Sequence, residues 1–174
     1  ELLQGHGQQL RSFLYVFIGT FVGGGLVLSG HLLPGERGNA GAIGSLPLGM
    51  AQPGSPAQLL EKSSGWQLEQ ALIQAGLDPQ LIHDDAIAEP AYDALTQPWL
   101  STAADALAMT ITAATALLDL DAVVLDGSLS RRLLEALQAQ TRQVLETYPL
   151  VGIVRPGRRE MGQVGAHARA LGGA

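Results

Sequence analysis

A glycine-rich turn is the feature of this sequence best suited to binding chemistry. Gly19 and Thr20 directly follow an apolar, strand-like segment, and Gly23, Gly24 and Gly25 come soon after them. Backbone without Cβ atoms can approach a ligand closely and offer it N–H groups, which suits a phosphate or a sugar. A tight hairpin with no ligand explains the same letters, and the turn matches no complete phosphate-loop signature. Both interpretations are open on local pattern alone.

The titratable side chains of the sequence indicate no enzyme site and no metal site. The chain has no cysteine, which excludes disulfides and thiolate zinc sites, and its four histidines lack the spacing of metal ligands, so we expect no metal site. A basic cluster near the end of the sequence either contacts an anion or an upstream domain, or lies in a solvated loop. Its members are Arg155, Arg158 and Arg159. No Ser-His-Asp or Cys-His arrangement indicates a nucleophilic enzyme.

The composition indicates one globular, mildly acidic domain. Of the 174 residues, 47% are hydrophobic and only 15% are charged, and the formal net charge is -6. This balance disfavours nucleic-acid binding by the chain's own surface, because such binding needs clustered Lys and Arg. The uncharged run 12–35 raises the question of a membrane helix, but its six glycines and one proline favour two buried strands. We therefore predict no membrane partner, and the helix-like start at 1–10 suggests a piece of a longer protein.

Hydrophobic periodicity predicts an α/β chain in which strands come first and helices then alternate with strands. Apolar and β-branched segments predict strands at 13–19, 25–29, 45–48, 122–125 and 150–154. Helical spacing predicts helices at 55–76, 98–118, 131–147 and 161–171, with a weaker helical region at 77–97. Short connections make the first three strands antiparallel, and helical crossovers make the last two parallel. The expected fold is three antiparallel strands extended by two parallel strands, with helices on both faces.

The order of these elements resembles half of a ribonuclease-H-like sugar kinase or actin-type ATPase. The segment IGTFVGGGLVLSGHLLPGERGNAGAIGSLPL resembles the signature region of the ROK family, which groups bacterial sugar kinases with sugar-responsive transcriptional repressors. The segments LLEKSSGWQLE, AVVLDGSLS and GQVGAHARALGGA resemble later parts of the family in the same order. The resemblance implies that residues 1–174 form a single C-terminal domain. The other half, with the catalytic base and the first phosphate loop of a kinase, would lie upstream.

On the sugar side, the resemblance implies a depleted set of contacts. Where the family has Ala-Gly-Glu-Ile-Gly-His, this chain has Ala42 and Ser45 in place of the sugar-contacting Glu and His. The family's cysteine cluster is missing, which implies that no structural zinc binds. Glu61 matches a sugar-contacting Glu of the family, although it suits equally well the role of a first-turn acid that favours the helix dipole. The implied sugar-binding residues are Asn39, Ser45 and Glu61.

On the nucleotide side, the resemblance implies vestigial positions at Gly19, Thr20, Gly23, Asp126 and Gly127. Where a kinase of the family has Gly-Thr-Gly, Phe21 places a bulky ring at the point where backbone would approach phosphate. Where a kinase has Gly-Gly-Gly after the later strand, this chain has Asp126-Gly127-Ser128. The Asp126 carboxylate would repel a polyphosphate unless a metal ion intervened, or else it caps the following helix. Ser128 and Ser130 are further candidate caps for that helix.

These substitutions favour a regulator over an enzyme. The resemblance implies the sugar-sensing and dimerising half of a ROK-type transcriptional regulator, which binds a small sugar or sugar derivative, forms a homodimer and reaches DNA only through an upstream helix-turn-helix. The alanine-rich helix after Pro98 and the loop before Ser55 are candidate dimer surfaces. The hypothesis includes no cofactor and a cytoplasmic location, with which the lack of cysteine is consistent. An ATP-dependent ROK sugar kinase is the alternative, and a protein that only dimerises is a third possibility.

Overall fold

The computed structural model describes residues 10–49, 57–148 and 151–154, together with the backbone of residues 158–161. The strands, in chain order, are β1 (Phe13–Ile18), β2 (Val22–Leu28), β3 (His31–Leu32), β4 (Pro47–Leu48), β5 (Ala57–Gln58), β6 (Ala122–Gly127) and β7 (Arg158–Met161). The α-helices are α1 (Leu59–Ser63), α2 (Gly65–Gln74), α3 (Asp93–Leu118) and α4 (Arg131–Thr147). Short 3₁₀ turns lie at Ile43–Ser45, Pro79–His83, Asp85–Ala88 and Pro90–Tyr92.

The central sheet has five strands in the order β3-β2-β1-β6-β7. Strand β1 pairs antiparallel with β2, and β2 pairs antiparallel with β3, whereas β6 runs parallel to both β1 and β7. The predicted α/β topology of three antiparallel strands extended by two parallel ones is therefore confirmed. The parallel pairing also brings the carboxyl ends of β1 and β6 to the same edge of the sheet, where ligands bind in open α/β sheets.

The third antiparallel strand is β3, and the prediction that residues 45–48 would supply it is wrong. Ser29 and Gly30 both take positive φ, at 52° and 82°, so the chain returns directly onto β2 in a two-residue hairpin. Strand β4 pairs instead with β5, as a separate two-stranded ribbon that leads into α1.

The three consecutive glycines lie inside β2, which begins three residues earlier than predicted. One of them, Gly24, is required by packing, because a Cβ there would lie 2.7 Å from the Ile43 side chain and 2.9 Å from the Gly41 carbonyl oxygen. Gly23 differs, since a Cβ there would meet nothing within 4 Å. The glycines therefore allow the bend that contains Ile43 to lie directly on the strand, rather than forming the turn that the sequence suggested.

Helix α3 is the centre of the core and begins at Asp93, so Pro98, which was predicted to start it, lies within its second turn. The predicted weaker helical region is a series of 3₁₀ turns followed by the start of α3. By length and mean hydropathy (1.3), Pro90–Leu118 could cross a membrane. Half of the 18-residue apolar segment within this stretch is nevertheless buried inside the protein, as expected of a helix at the centre of a core.

The described helices pack on the sheet face that carries Leu14, Val16 and Ile18. The opposite face, which includes Phe13 and Val124, is also buried. The C-terminal helix predicted at 161–171 lies outside the described residues, except for Met161, which is the last residue of β7. The layer of helices on the first face is the one that positions the candidate site.

The helix predicted at 55–76 is divided into α1 and α2, because Ser64 is extended (φ −71°, ψ 146°). Gly76 ends the segment with a positive φ of 73°, as glycine commonly does after a helix. Helix α4 has its predicted bounds. The Ser130 hydroxyl caps it by accepting a hydrogen bond from the Leu133 N–H (3.1 Å), which confirms one of the two predicted serine caps.

The last described strand lies later in the chain than predicted. Val151 and Gly152 form a turn in which Gly152 takes a φ of 78°, so a strand at 150–154 is wrong. The sheet is extended instead by β7, and Arg158 and Arg159 therefore lie in a strand rather than in a loop. The predicted helix start at Ser55 is wrong, because Ala57 and Gln58 form β5 and α1 begins only at Leu59, with Gln58 as its N-cap. The predicted dimer loop before Ser55 and the basic residue Arg155 lie outside the described residues.

Candidate functional site

The turn between β1 and β2 is held by the start of α2. The Gly65 N–H donates to the Gly19 carbonyl oxygen (2.7 Å), and the Trp66 N–H donates to that of Thr20 (3.3 Å). A Cβ on Gly65 would lie 2.8 Å from the Gly19 oxygen, so this close approach requires glycine. The Gly19 N–H donates to the Phe21 carbonyl oxygen (2.9 Å). An amide that a phosphate could use is therefore already bonded within the turn.

The Thr20 side chain contacts a carboxylate of α2. Its hydroxyl donates a hydrogen bond to Glu69 Oε1 (3.0 Å), and both side chains are half-buried. Phe21, the next residue of the turn, is 64% exposed. Sequence reasoning missed Glu69, because the two partners lie 49 positions apart and no local spacing links them. The turn thus presents a bulky ring and an acid, whereas a phosphate site needs bare backbone and donor groups.

The end of β6 lies beside the same turn. The Ser128 N–H donates to the Ile18 carbonyl oxygen (3.0 Å), and a Cβ on Gly19 would lie 2.8 Å from Ser128 Oγ. Gly127 is also required by packing, since a Cβ there would overlap the Ile18 oxygen. The structure therefore brings Gly19 and Gly127 together, whereas Gly23 is part of β2 and not of the turn.

Asp126 is buried, with 1% of its surface exposed. Its carboxylate accepts hydrogen bonds from the Tyr15 hydroxyl (3.0 Å) and from the Gly127 N–H (2.8 Å). The suggestion that Asp126 caps the following helix is wrong, because Ser130 occupies that position. The carboxylate is thus bonded inside the protein and links β1 to β6 just below the two turns.

The predicted sugar-binding residues lie around the Ile43–Ser45 turn and the start of α1. These two elements are in contact, and the Leu59 N–H donates to the Leu46 carbonyl oxygen (3.0 Å). Glu61 closes a capping box, in which its Oε2 accepts a hydrogen bond from the Gln58 N–H (3.2 Å). Glu61 therefore has the first-turn capping role that the sequence left open beside sugar binding. The three predicted sugar-binding residues, Asn39, Ser45 and Glu61, are all exposed.

The bend that carries Ser45 is fixed by close packing on β2. A Cβ on Gly44 would overlap the Val22 carbonyl oxygen, so the backbone of the bend lies directly against the strand. The Ser45 N–H donates to the Ala42 carbonyl oxygen (3.2 Å), which closes the turn. Ala42 is exposed, so the missing acid of the family pattern would have stood at the surface.

No metal site is apparent in the part of the chain that the structure describes, since no group of three or more His, Cys, Asp or Glu side chains there could hold an ion. A small cavity of about 20 Å³ lies between α3, α4 and the sheet. Its lining is mainly aliphatic and consists of Val16, Leu107, Ile111, Val123, Leu125, Gln138, Thr141 and Arg142. A space that holds about one water molecule is too small for a sugar ring.

The sheet order and the paired turns at the ends of β1 and β6 match the fold of the actin and hexokinase class. The model of the ROK family matches residues 1–174, and the chain belongs to the ROK family. A search of curated proteins gave no match.

Solved ROK structures that resemble this chain include enzymes and a regulator. One is a ROK hexokinase from Thermus thermophilus (28% identity, TM-score 0.67, 98% of this chain and 58% of that chain). Another is a ROK family protein from Streptococcus pneumoniae TIGR4 in complex with sucrose (19% identity, TM-score 0.75, 95% and 57%). A third is a ROK family transcriptional regulator, a homologue of the E. coli MLC protein (18% identity, TM-score 0.65, 92% and 44%). The chain thus spans less than two thirds of each of these proteins.

Proposed function

We propose that this chain is the sugar-sensing and dimerising C-terminal half of a ROK-type transcriptional regulator. DNA binding belongs to an upstream domain, and the protein acts in the cytoplasm without a cofactor. The observation that carries the proposal is the hydrogen bond between Thr20 and Glu69, beside the exposed ring of Phe21. An ATP site needs the opposite properties at this turn, namely bare backbone and donor groups.

The electrostatics of the turn support the proposal. The Glu69 carboxylate accepts a hydrogen bond from the Thr20 hydroxyl, at the place where the phosphates of a nucleotide would approach in a kinase of this family. Two like unit charges 4 Å apart repel by about 1 kcal/mol in bulk water and by about 4 kcal/mol near a protein surface. Because a polyphosphate carries several charges, Glu69 opposes nucleotide binding in a fold that is otherwise retained.

A neutral sugar is the ligand class that suits the other side of the site. Asn39, Ser45 and Glu61 are exposed and offer amide, hydroxyl and carboxylate groups, which hydrogen-bond sugar hydroxyls. A similar ROK family protein was solved in complex with sucrose, which supports a sugar ligand. Binding between the two halves shifts the populations of two domain arrangements and thereby changes the affinity for DNA.

Dimerisation is assigned to the outer face of α3. Met109 is 41% exposed and Leu117 is 83% exposed on this helix, although its other face forms the core. Exposed Met and Leu side chains suit an interface with a second copy of the protein, whose centre is depleted of charge. The second dimer surface that the sequence suggested, before Ser55, stays a prediction.

An ATP-dependent ROK sugar kinase is the second candidate. The observation in its favour is the identity of 28% to the T. thermophilus hexokinase, compared with 18% to the regulator. A protein that has lost ligand binding and only dimerises is the third candidate.

The full-length protein separates these candidates. An upstream winged helix-turn-helix supports the regulator, whereas an opening Asp-x-Gly-x-Thr phosphate loop with an Asn-Asp base motif supports the kinase. Fluorescence anisotropy with DNA selected by the protein should then show an affinity for DNA that changes when sugars are added. A protein that binds no DNA and phosphorylates a sugar contradicts the proposal. One that binds DNA but responds to no sugar in a broad panel supports the third candidate.

A further inference from the structure

Two exposed aromatic side chains flank the hydrogen bond between Thr20 and Glu69. Phe21 is 64% exposed and Trp66 is 46% exposed, whereas large aromatic side chains are mostly buried in folded proteins. The Trp66 N–H donates to the Thr20 carbonyl oxygen (3.3 Å), so Trp66 lies directly beside the turn that carries Phe21. Trp66 and Glu69 are three positions apart in α2 and therefore lie on one face of the helix. The two aromatic residues and the carboxylate thus belong to one surface.

The chemistry of this surface suits a neutral sugar ring. An aromatic face can pack against the apolar C–H groups on one face of a sugar, because the π-system is negative on its face and the contact buries apolar surface. A carboxylate offers about four lone-pair positions, and the Thr20 hydroxyl uses one of them on Glu69, so acceptor capacity for sugar hydroxyls is left. A phosphate is repelled by the same carboxylate. Aromatic rings beside an acceptor therefore select a neutral, hydroxyl-rich ring.

We propose that Phe21, Trp66 and Glu69 form a subsite for a second sugar ring, so that the effector is a disaccharide or a related neutral glycoside. The inference rests on the proposed function, because the first ring of the ligand is held at the sugar side by Ser45 and Glu61. The second ring then occupies the position at which a kinase of this family would hold phosphate. The retained fold is in this way used for a larger neutral ligand.

Calorimetry on the full-length protein with glucose, maltose and sucrose tests the subsite. We expect a disaccharide to bind more tightly than glucose, and Trp66→Ala to weaken the disaccharide by about tenfold while it leaves glucose unchanged. Phe21→Ala should act in the same direction. Trp66→Phe keeps an aromatic face and should retain most of the affinity. Val151→Ala, at a position that is 94% exposed in the turn after α4, is the control that should change neither ligand.

Iodide quenching of tryptophan fluorescence reports on the subsite directly. The chain has two tryptophans, of which Trp66 is 46% exposed and Trp99 only 7% exposed, so iodide quenches mainly Trp66. A bound disaccharide should protect Trp66 from iodide, whereas bound glucose should not. Protection by the disaccharide alone supports the subsite.

Three results overturn the inference. If glucose and the disaccharides bind with equal affinity and Trp66→Ala weakens both alike, there is no subsite for a second ring. The proposed sugar sensing is not contradicted by that result. Lower stability of Phe21→Ala and Trp66→Ala with unchanged affinities identifies the rings as contacts with the other half of the protein. Binding of none of the three sugars also overturns it, whereas the proposed function depends on the response of the DNA complex to the broader panel.

Discussion

The β1–β2 turn and the Ile43–Ser45 turn, which the resemblance assigned to nucleotide and to sugar, use their polar groups differently. In the first turn, the Gly19 N–H and the Thr20 hydroxyl are both bonded to other groups of the chain. In the second, the Ser45 side chain is exposed, and Glu61 nearby is exposed although one of its oxygens caps α1. The difference indicates that the polar groups of the first turn serve the fold, whereas those of the second turn remain accessible at the surface.

The largest expected effect concerns Gly127, the last residue of β6, which lies beside the β1–β2 turn. Gly127→Ala should lower the free energy of unfolding by about 3 kcal/mol, because its Cβ would overlap the Ile18 carbonyl oxygen within the sheet. Gly23→Ala is the matched control, since a Cβ there meets nothing within 4 Å, and we expect no loss of stability. Urea denaturation measures both. Equal stabilities of the two variants would show that close packing does not hold the nucleotide side.

A smaller effect is expected at the buried hydrogen bond below that turn. Tyr15→Phe should lower the free energy of unfolding by about 1 to 3 kcal/mol, because it removes the hydroxyl that donates to the buried Asp126 carboxylate. Tyr148→Phe, at a half-buried position after α4, should change the free energy of unfolding by less than about 0.5 kcal/mol. Thermal unfolding of the two variants makes the comparison. If Tyr15→Phe proves as mild as the control, Asp126 does not link the two strands.

The hydrogen bond between Thr20 and Glu69 should contribute less again. A double-mutant cycle with Thr20→Val and Glu69→Ala should give a coupling free energy of about 1 kcal/mol. The ion pair of Arg131 and Glu135, with both side chains more than half exposed, serves as the control and should give less than about 0.5 kcal/mol. A coupling near zero for the first pair would mean that Glu69 does not occupy the turn in solution.

The smallest effect on stability is expected on the sugar side. Glu61→Gln should change the free energy of unfolding by less than about 0.5 kcal/mol, because Gln also closes a capping box. The affinity for sugar should nevertheless fall, since a carboxylate that accepts hydroxyl protons is lost. Glu61→Ala removes both roles and should reduce stability and affinity together. If calorimetry on the full-length protein shows that Glu61→Gln leaves the sugar affinity unchanged, then Glu61 only caps α1 and does not bind the sugar.

The parts of the fold that could be predicted are those with a local physical signal. Helix α4 was predicted with its observed bounds, because a serine cap precedes a strongly amphipathic segment. Strand β3 was missed because only two residues pair, after a turn in which Ser29 takes positive φ without being glycine. Strand β7 was missed because the apolar letters at 150–154 suggested an earlier strand than the one that pairs.

The candidate site was predictable only in part. The resemblance to the ROK family predicted an altered phosphate turn at Gly19, Thr20 and Phe21, which stays a prediction, and the structure brings Gly19 beside the end of β6. The sequence did not identify Glu69, whose contact with Thr20 depends on how α2 docks on the turn. Contacts between distant segments are set by packing rather than by local pattern, so residue types alone could not reveal them.

Calorimetry of the full-length protein with ATP and Mg²⁺, in the presence and absence of sugar, tests the central claim most directly. We expect sugar binding with no measurable binding of the nucleotide and no phosphorylated product, because Glu69 and Phe21 occupy the turn where phosphate would bind. Micromolar binding of ATP followed by transfer of phosphate to a sugar would contradict it and identify the protein as a kinase.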